Sequence, residues 1–244
     1  MRGLIGRAGE LEVAARLRRK NDGARRNAKM DSYALAGWCM HVLAEAGNAK
    51  PTASYRKDII TPGFLREVAK LSAFEDGPKR AQNYLLAHGI VLIVAPHLPN
   101  TYLDGAAMLL EDGTPVIGMT LRHDRVDNFW FCLLHELTHL ARHLGNGGER
   151  MFVDDFDLRA TDEDAREREA DEWAEDALIP KAEWDEHPAQ DAPFASNVIS
   201  LAQRVGVHPA IVAGRIRWRD RNCRILSQFV GSGEVRKHFP GVWN

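Results

Sequence analysis

His135-Glu136-Leu137-Thr138-His139 places two imidazoles and a carboxylate in one short segment. On a helix, positions four apart lie about 40° apart around the axis, so both imidazoles can meet one ion. Glu136 then falls on the neighbouring flank, where it can take a proton from a water beside that ion. The chemistry favoured is metal-assisted hydrolysis, with Glu136 as the catalytic base. A core helix whose histidines merely hydrogen-bond is the competing reading. It is disfavoured because two histidines and a glutamate on a mostly apolar helix are costly without a ligand.

Catalytic zinc commonly takes three protein ligands and keeps one open position, so this segment is one ligand short. His143 lies two turns beyond His135, roughly 12 Å along the axis at about 1.5 Å per residue, too far for one ion to reach both. The pattern with a third histidine six residues after the second is absent, because Gly145 stands there. The missing ligand must come from another element. Glu167-Arg168-Glu169-Ala170-Asp171-Glu172-Trp173-Ala174 supplies two candidates, Glu167 and Glu169, and the acidic run Asp154 to Asp157 supplies others. Glu167 and Asp171 are four apart and share a helical face, so Glu167 can ligate while Asp171 orients a ligating imidazole. Zn²⁺ is the expected ion, and Mn²⁺ can replace it, since such a site discriminates partly by metal availability.

The surrounding pattern describes the elements that must hold these groups. Leu133, Leu137, Leu140 and Leu144 form one apolar stripe, widened by Phe129, Trp130 and Phe131. Asp127 is the expected N-cap of this helix and Gly145-Asn146-Gly147-Gly148 its stop. Ala170, Trp173, Ala174 and Ala177 mark a second helix that ends before Pro180. Residues 31 to 88 read as helices punctuated by Pro51, Pro62-Gly63 and Gly77-Pro78. Ile90 to Ala95 is a β-branched run typical of a buried strand, and Leu103 to Leu110 with Pro115 to Leu121 flank a hairpin turn. An edge of that small sheet could align a peptide by strand addition. Beyond Pro180, residues 195–205 and 207–218 have the outline of a helix-turn-helix with Arg215, Arg217, Arg219, Arg221 and Arg224 nearby; a helical pair packed on the core is the favoured reading.

Taken together, several separated motifs resemble the ImmA/IrrE family of zinc metallopeptidases, especially members associated with HigA-like regulators. They are Asp127 to Phe131, His135 to Leu140, Glu167 to Asp171 and Leu178-Ile179-Pro180, with Pro96 to Pro99 and Leu103 to Ala106 upstream. The resemblance implies an α+β fold with a gluzincin-like core, a small sheet packed on the HExxH helix, flanked by N- and C-terminal helices. It implies substrates that are repressors or antitoxins, and it favours Glu167 as the third ligand. Asp171 stands where many relatives carry asparagine, a change that still permits hydrogen bonding. Arg19 to Cys39 resembles the join that follows a helix-turn-helix domain in fused relatives, while too few residues precede it to hold that domain.

Composition sets the remaining expectations. A chain of 244 residues can bury one sizeable core with appendages, and a formal net charge of -2 argues against a dedicated nucleic-acid surface. Cys39, Cys132 and Cys223 are scattered with no CxxC, which argues against a disulfide framework. No apolar run is long enough for a membrane span, so a cytoplasmic protein without a membrane partner is expected. The expected organisation is a basic tail over residues 1–30, a peptidase domain over 31–180 and a helical extension over 181–244. The expected function is a zinc endopeptidase that cleaves a regulatory protein, a repressor or antitoxin, without sequence-specific DNA binding of its own. The alternative is a non-proteolytic antitoxin or transcriptional regulator that keeps the zinc fold as a binding module. The intact Glu136 favours the enzyme.

Overall fold

A computed structural model describes residues 31–144, 150–154 and 165–242. Among the described residues three helices come first: α1 (Ser32–Ala46), α2 (Pro62–Lys70) and α3 (Gly77–Ala87). Strand β1 (Val91–Val94) and the hairpin β2 (Gly105–Leu109) and β3 (Pro115–Met119) follow, then the long helix α4 (Val126–Arg142). Strand β4 (Met151–Asp154), helix α5 (Ala165–Leu178), the short α6 (Lys181–Glu186), α7 (Ala195–Val205) and α8 (Pro209–Arg219) complete the main elements. The fold is mixed α and β, in agreement with the α+β expectation.

Among the described residues the sheet is four-stranded, in the order β1-β3-β2-β4. β1 runs parallel to β3, whereas β2 pairs antiparallel with both β3 and β4. Successive side chains in a strand point to opposite faces, and here each face has its own cover. Val91, Ala106, Met108 and Val116 pack against Leu35, Trp38, Cys39 and Val42 of α1. Leu92, Ala107, Ile117 and Met119 face the larger core that contains Phe129, Leu133 and Leu137 of α4. Leu133 and Leu137 are fully buried, and each such side chain contributes about 2 kcal/mol by transfer from water. Gly118 makes the α1 side possible. A Cβ there would lie 2.7 Å from the Trp38 ring, so only glycine lets the indole rest on the sheet.

Capping decides where several helices begin. Asp31 accepts from the backbone of Tyr33 and Ala34 to start α1, and Thr61 Oγ1 accepts from Phe64 N to start α2. The expected cap of α4 is displaced. The helix starts after Arg125, which is extended and makes no side-chain cap, and Asp127 lies inside the first turn. Its carboxylate accepts two hydrogen bonds from Arg125, both at 2.9 Å, and there it still complements the positive end of the helix. Strand β4 is an element that sequence reasoning did not mark. Its pairing with β2 is non-local, and Asp154, a candidate ligand in the acidic run, is its last residue. The basic tail, the glycine stop at 145–148 and Asp155 and Asp157 lie outside the described residues.

Helix α5 is anchored at its C-terminal end by two arginines. Arg66 of α2 donates to Ala177 O at 2.8 Å and Leu178 O at 3.0 Å, and also to Val205 O at the end of α7. Arg215 of α8 donates to Ile179 O at 2.9 Å. These bonds satisfy carbonyls that a helix end would otherwise leave without partners. Residues beyond Pro180 share the same hydrophobic core as α4, through Trp184, Val198, Leu201, Ile211, Val212 and Ile216. Asp124, just before α4, accepts from Val235 N and Arg236 N and so ties the C-terminal segment to the start of that helix. Among the described residues, no helix is long and apolar enough to cross a membrane.

Candidate metal centre

Helix α4 lies across the sheet with His135, Glu136 and His139 all fully buried. The four-residue spacing brings the two Nε2 atoms to 2.8 Å from each other, so the rings converge on one point. Helix α5 brings Glu167 to the same point, its Oε2 lying 3.5 Å from His135 Nε2 and 3.7 Å from His139 Nε2. One ligand atom from each of the three residues falls within 4.8 Å of the others. Two neutral imidazole nitrogens and one carboxylate oxygen, with the histidines shut off from solvent, suit a divalent ion such as zinc.

Residues around this triad fix its imidazoles. His135 Nδ1 lies 3.0 Å from Asp171 Oδ1, and His139 Nδ1 lies 2.8 Å from His143 Nδ1. His143 Nε2 is in turn 3.0 Å from Glu169 Oε2. Glu169 Oε1 accepts from Arg142 Nε at 2.8 Å, and the Arg142 guanidinium sits 5.3 Å from the centre of the Trp173 ring. Burial lowers the His143 pKa below the ordinary histidine range, Glu169 opposes this and His139 adds to it. Burial pushes Glu169 up, but the hydrogen bonds from His143 and Arg142 outweigh it and hold its carboxyl below the usual range.

Glu136 packs against the start of β2, where Gly105 provides the space for its carboxylate. Near that corner Arg122 makes a two-pronged pair with the buried Asp104, at 3.3 and 2.7 Å. Burial first, then the Arg122 charge, lower the His97 pKa against the pull of Asp104, so His97 is neutral at pH 7. The buried Cys39 thiol is pushed up to about 12, first by desolvation, which makes it an unreactive core residue. A separate cavity of about 330 Å³ is lined by Val126, Trp130, His208 and Glu234, at the far end of α4 from His135 and His139.

The structure therefore brings together His135, His139 and Glu167, with Glu136 and Asp171 beside them. It separates Glu169 from the triad by engaging both of its oxygens elsewhere. Sequence reasoning missed His143 and Gly105. The distance along the helix rules His143 out as a ligand, but its spacing of four from His139 places the two rings on one helical face.

A buried HExxH helix crossed by a carboxylate-bearing helix over a small sheet defines a metallopeptidase-type site. Residues 80–217 match the Peptidase M78 family, described as the IrrE N-terminal-like domain, and the chain belongs to that family. No curated protein matches the chain.

Proposed function

We propose that this protein is a zinc-dependent endopeptidase that cleaves a regulatory protein, a repressor or an antitoxin, with a gluzincin-like arrangement of groups. The observation that carries the reading is the convergence of His135 Nε2, His139 Nε2 and Glu167 Oε2 beside the buried Glu136. His135, His139 and Glu167 hold the ion, which when bound supplies Lewis acidity toward water and toward a peptide carbonyl. Glu136 accepts a proton as the water oxygen attacks the carbonyl carbon. It then delivers that proton to the amine nitrogen as the carbon–nitrogen bond breaks. Asp171 accepts from His135 Nδ1–H, which keeps the opposite nitrogen available for the ion. Mn²⁺ can occupy the same donors.

The test is to incubate the purified protein with the repressor encoded beside its gene, with and without a chelator. Cleavage that the chelator abolishes and Zn²⁺ restores supports the peptidase. Tight binding without any cut supports instead a non-proteolytic regulator that uses the fold as a binding module.

A further inference from the structure

We propose that His143 and Glu169 form a relay that fixes the tautomer and orientation of His139, so that both act as positioning residues for the metal centre. The proposal rests on the reading of His139 as a ligand through Nε2. That role requires a free lone pair on Nε2, so the one proton of neutral His139 sits on Nδ1. The Nδ1 to Nδ1 distance of 2.8 Å to His143 is a hydrogen bond and needs one donor and one acceptor. With His139 donating, His143 Nδ1 must accept, and the proton of neutral His143 sits on Nε2. That nitrogen lies 3.0 Å from Glu169 Oε2, and an ionised carboxylate can only accept. With the ion bound, every donor therefore meets an acceptor out to Glu169, and both Nε2 atoms, 2.8 Å apart, turn lone pairs to the ion; the opposite polarity would put a proton on the nitrogen meant for the ion.

The far end of the relay is itself held. Arg142 donates to the other oxygen of Glu169 and lies beside the Trp173 ring, so the carboxylate cannot rotate freely. The His143 side chain is only 6% exposed, so its ring and not bulk solvent meets His139 Nδ1. The two imidazoles of the site are thus held differently. His135 reaches a carboxylate directly, whereas His139 reaches one through a second ring. Both carboxylates, Asp171 and Glu169, belong to α5, so the helix that carries Glu167 also orients both histidines.

The experiment uses the full chain with ¹⁵N-labelled histidine and reads long-range proton–nitrogen correlations in the Zn²⁺-loaded protein, where neither Nε2 of the His135–His139 pair can carry a proton. The expected result is His139 protonated on Nδ1 and His143 protonated on Nε2. In the metal-free protein, His143→Leu should move His139 further toward the Nε2-protonated form, which free imidazole side chains prefer in water, than it is in metal-free wild type. His143→Gln, whose amide can accept from one side and donate to the other, should restore the wild-type tautomer. Zn²⁺ titration should show affinity lowered by about 10-fold or more in His143→Leu and largely recovered in His143→Gln. A wild-type His143 protonated on Nδ1, or a His139 tautomer unchanged in His143→Leu, would overturn the relay. Failure of the peptidase reading looks different: intact tautomers and metal uptake with no cleavage of the repressor.

Discussion

A Cβ on Gly105 would stand 2.6 Å from Oε1 of Glu136, closer than side-chain atoms approach without one of them moving. The first residue of β2 and the second residue of the HExxH segment therefore share one space. The carboxylate occupies the volume that any other side chain would need. Gly105→Ala should displace Glu136 while leaving His135, His139 and Glu167 in place. The expected outcome is a fall in kcat of about 100-fold, the scale of a displaced catalytic group, with Zn²⁺ affinity within a few-fold of wild type. Parallel peptidase assays and metal titrations check it, and an equal loss of metal would place the strain on the histidines instead.

Glu136→Gln tests the base itself without changing its volume. Because Glu136 is not one of the three converging donors, the variant should take up Zn²⁺ normally. It should lose hydrolysis by about 100- to 10,000-fold, the usual span for a general base. Cleavage of the repressor at the wild-type rate would remove Glu136 from the mechanism.

What the sequence disclosed and what it hid follow from the range of each interaction. His135, Glu136 and His139 were legible because their geometry is set by helical spacing alone. Glu167 and Asp171 were legible as a pair for the same reason, but their distance from the histidines depends on how α5 crosses α4, which the resemblance supplied and no local pattern could. The hairpin announced itself through Glu111-Asp112-Gly113-Thr114, whereas β4 pairs across more than forty residues with β2 and carries no comparable turn signal. Asp127 looked like a cap because its type suits one. Arg125 claims the carboxylate, and the helix starts two residues earlier than a cap at Asp127 would set. His143 was hidden by a correct argument applied to the wrong atom: it cannot reach the ion beside His135, but its Nδ1 reaches His139.

Metal affinity should rank the acidic residues of α5. Glu167→Ala removes a donor and should cause the largest loss. Asp171→Ala should cost about 10- to 100-fold, the range for a partner that orients a ligating imidazole. Glu169→Ala, one ring further from the ion, should cost about 10-fold or less. Isothermal titration with Zn²⁺ gives the order directly, and a larger loss in Glu169→Ala than in Glu167→Ala would transfer the ligand role.

Arg66 makes a prediction about stability rather than chemistry. Its guanidinium bridges the ends of α5 and α7 through Ala177, Leu178 and Val205, and burial lowers its pKa from the ordinary value. Arg66→Met keeps much of the aliphatic stem but leaves three carbonyls without this donor. The expected cost is about 2–3 kcal/mol, read as a lower urea midpoint at unchanged slope. A midpoint equal to wild type would show that water replaces the arginine at no cost.

Nucleic acid offers the last test. Three of the five arginines that lie near the helix-turn-helix outline of α7 and α8 are engaged within the chain. Arg215 donates to Ile179 O with its guanidinium 4.4 Å from the Trp184 ring, Arg217 donates to Cys223 O, and Arg219 pairs with Asp220 and donates to Gln190 O. The would-be recognition helix also buries Ala210, Ile211, Val212, Ala213 and Ile216 in the core, so one of its faces is already spent. A formal net charge of -2 adds no general attraction to phosphate. Sequence-specific binding is therefore not expected at physiological salt, and any weak association should vanish with nonspecific competitor. Gel-shift and anisotropy measurements on the promoter of its own gene decide the matter. Competitor-resistant binding would overturn the prediction and require that α8 leave the core against which it is packed.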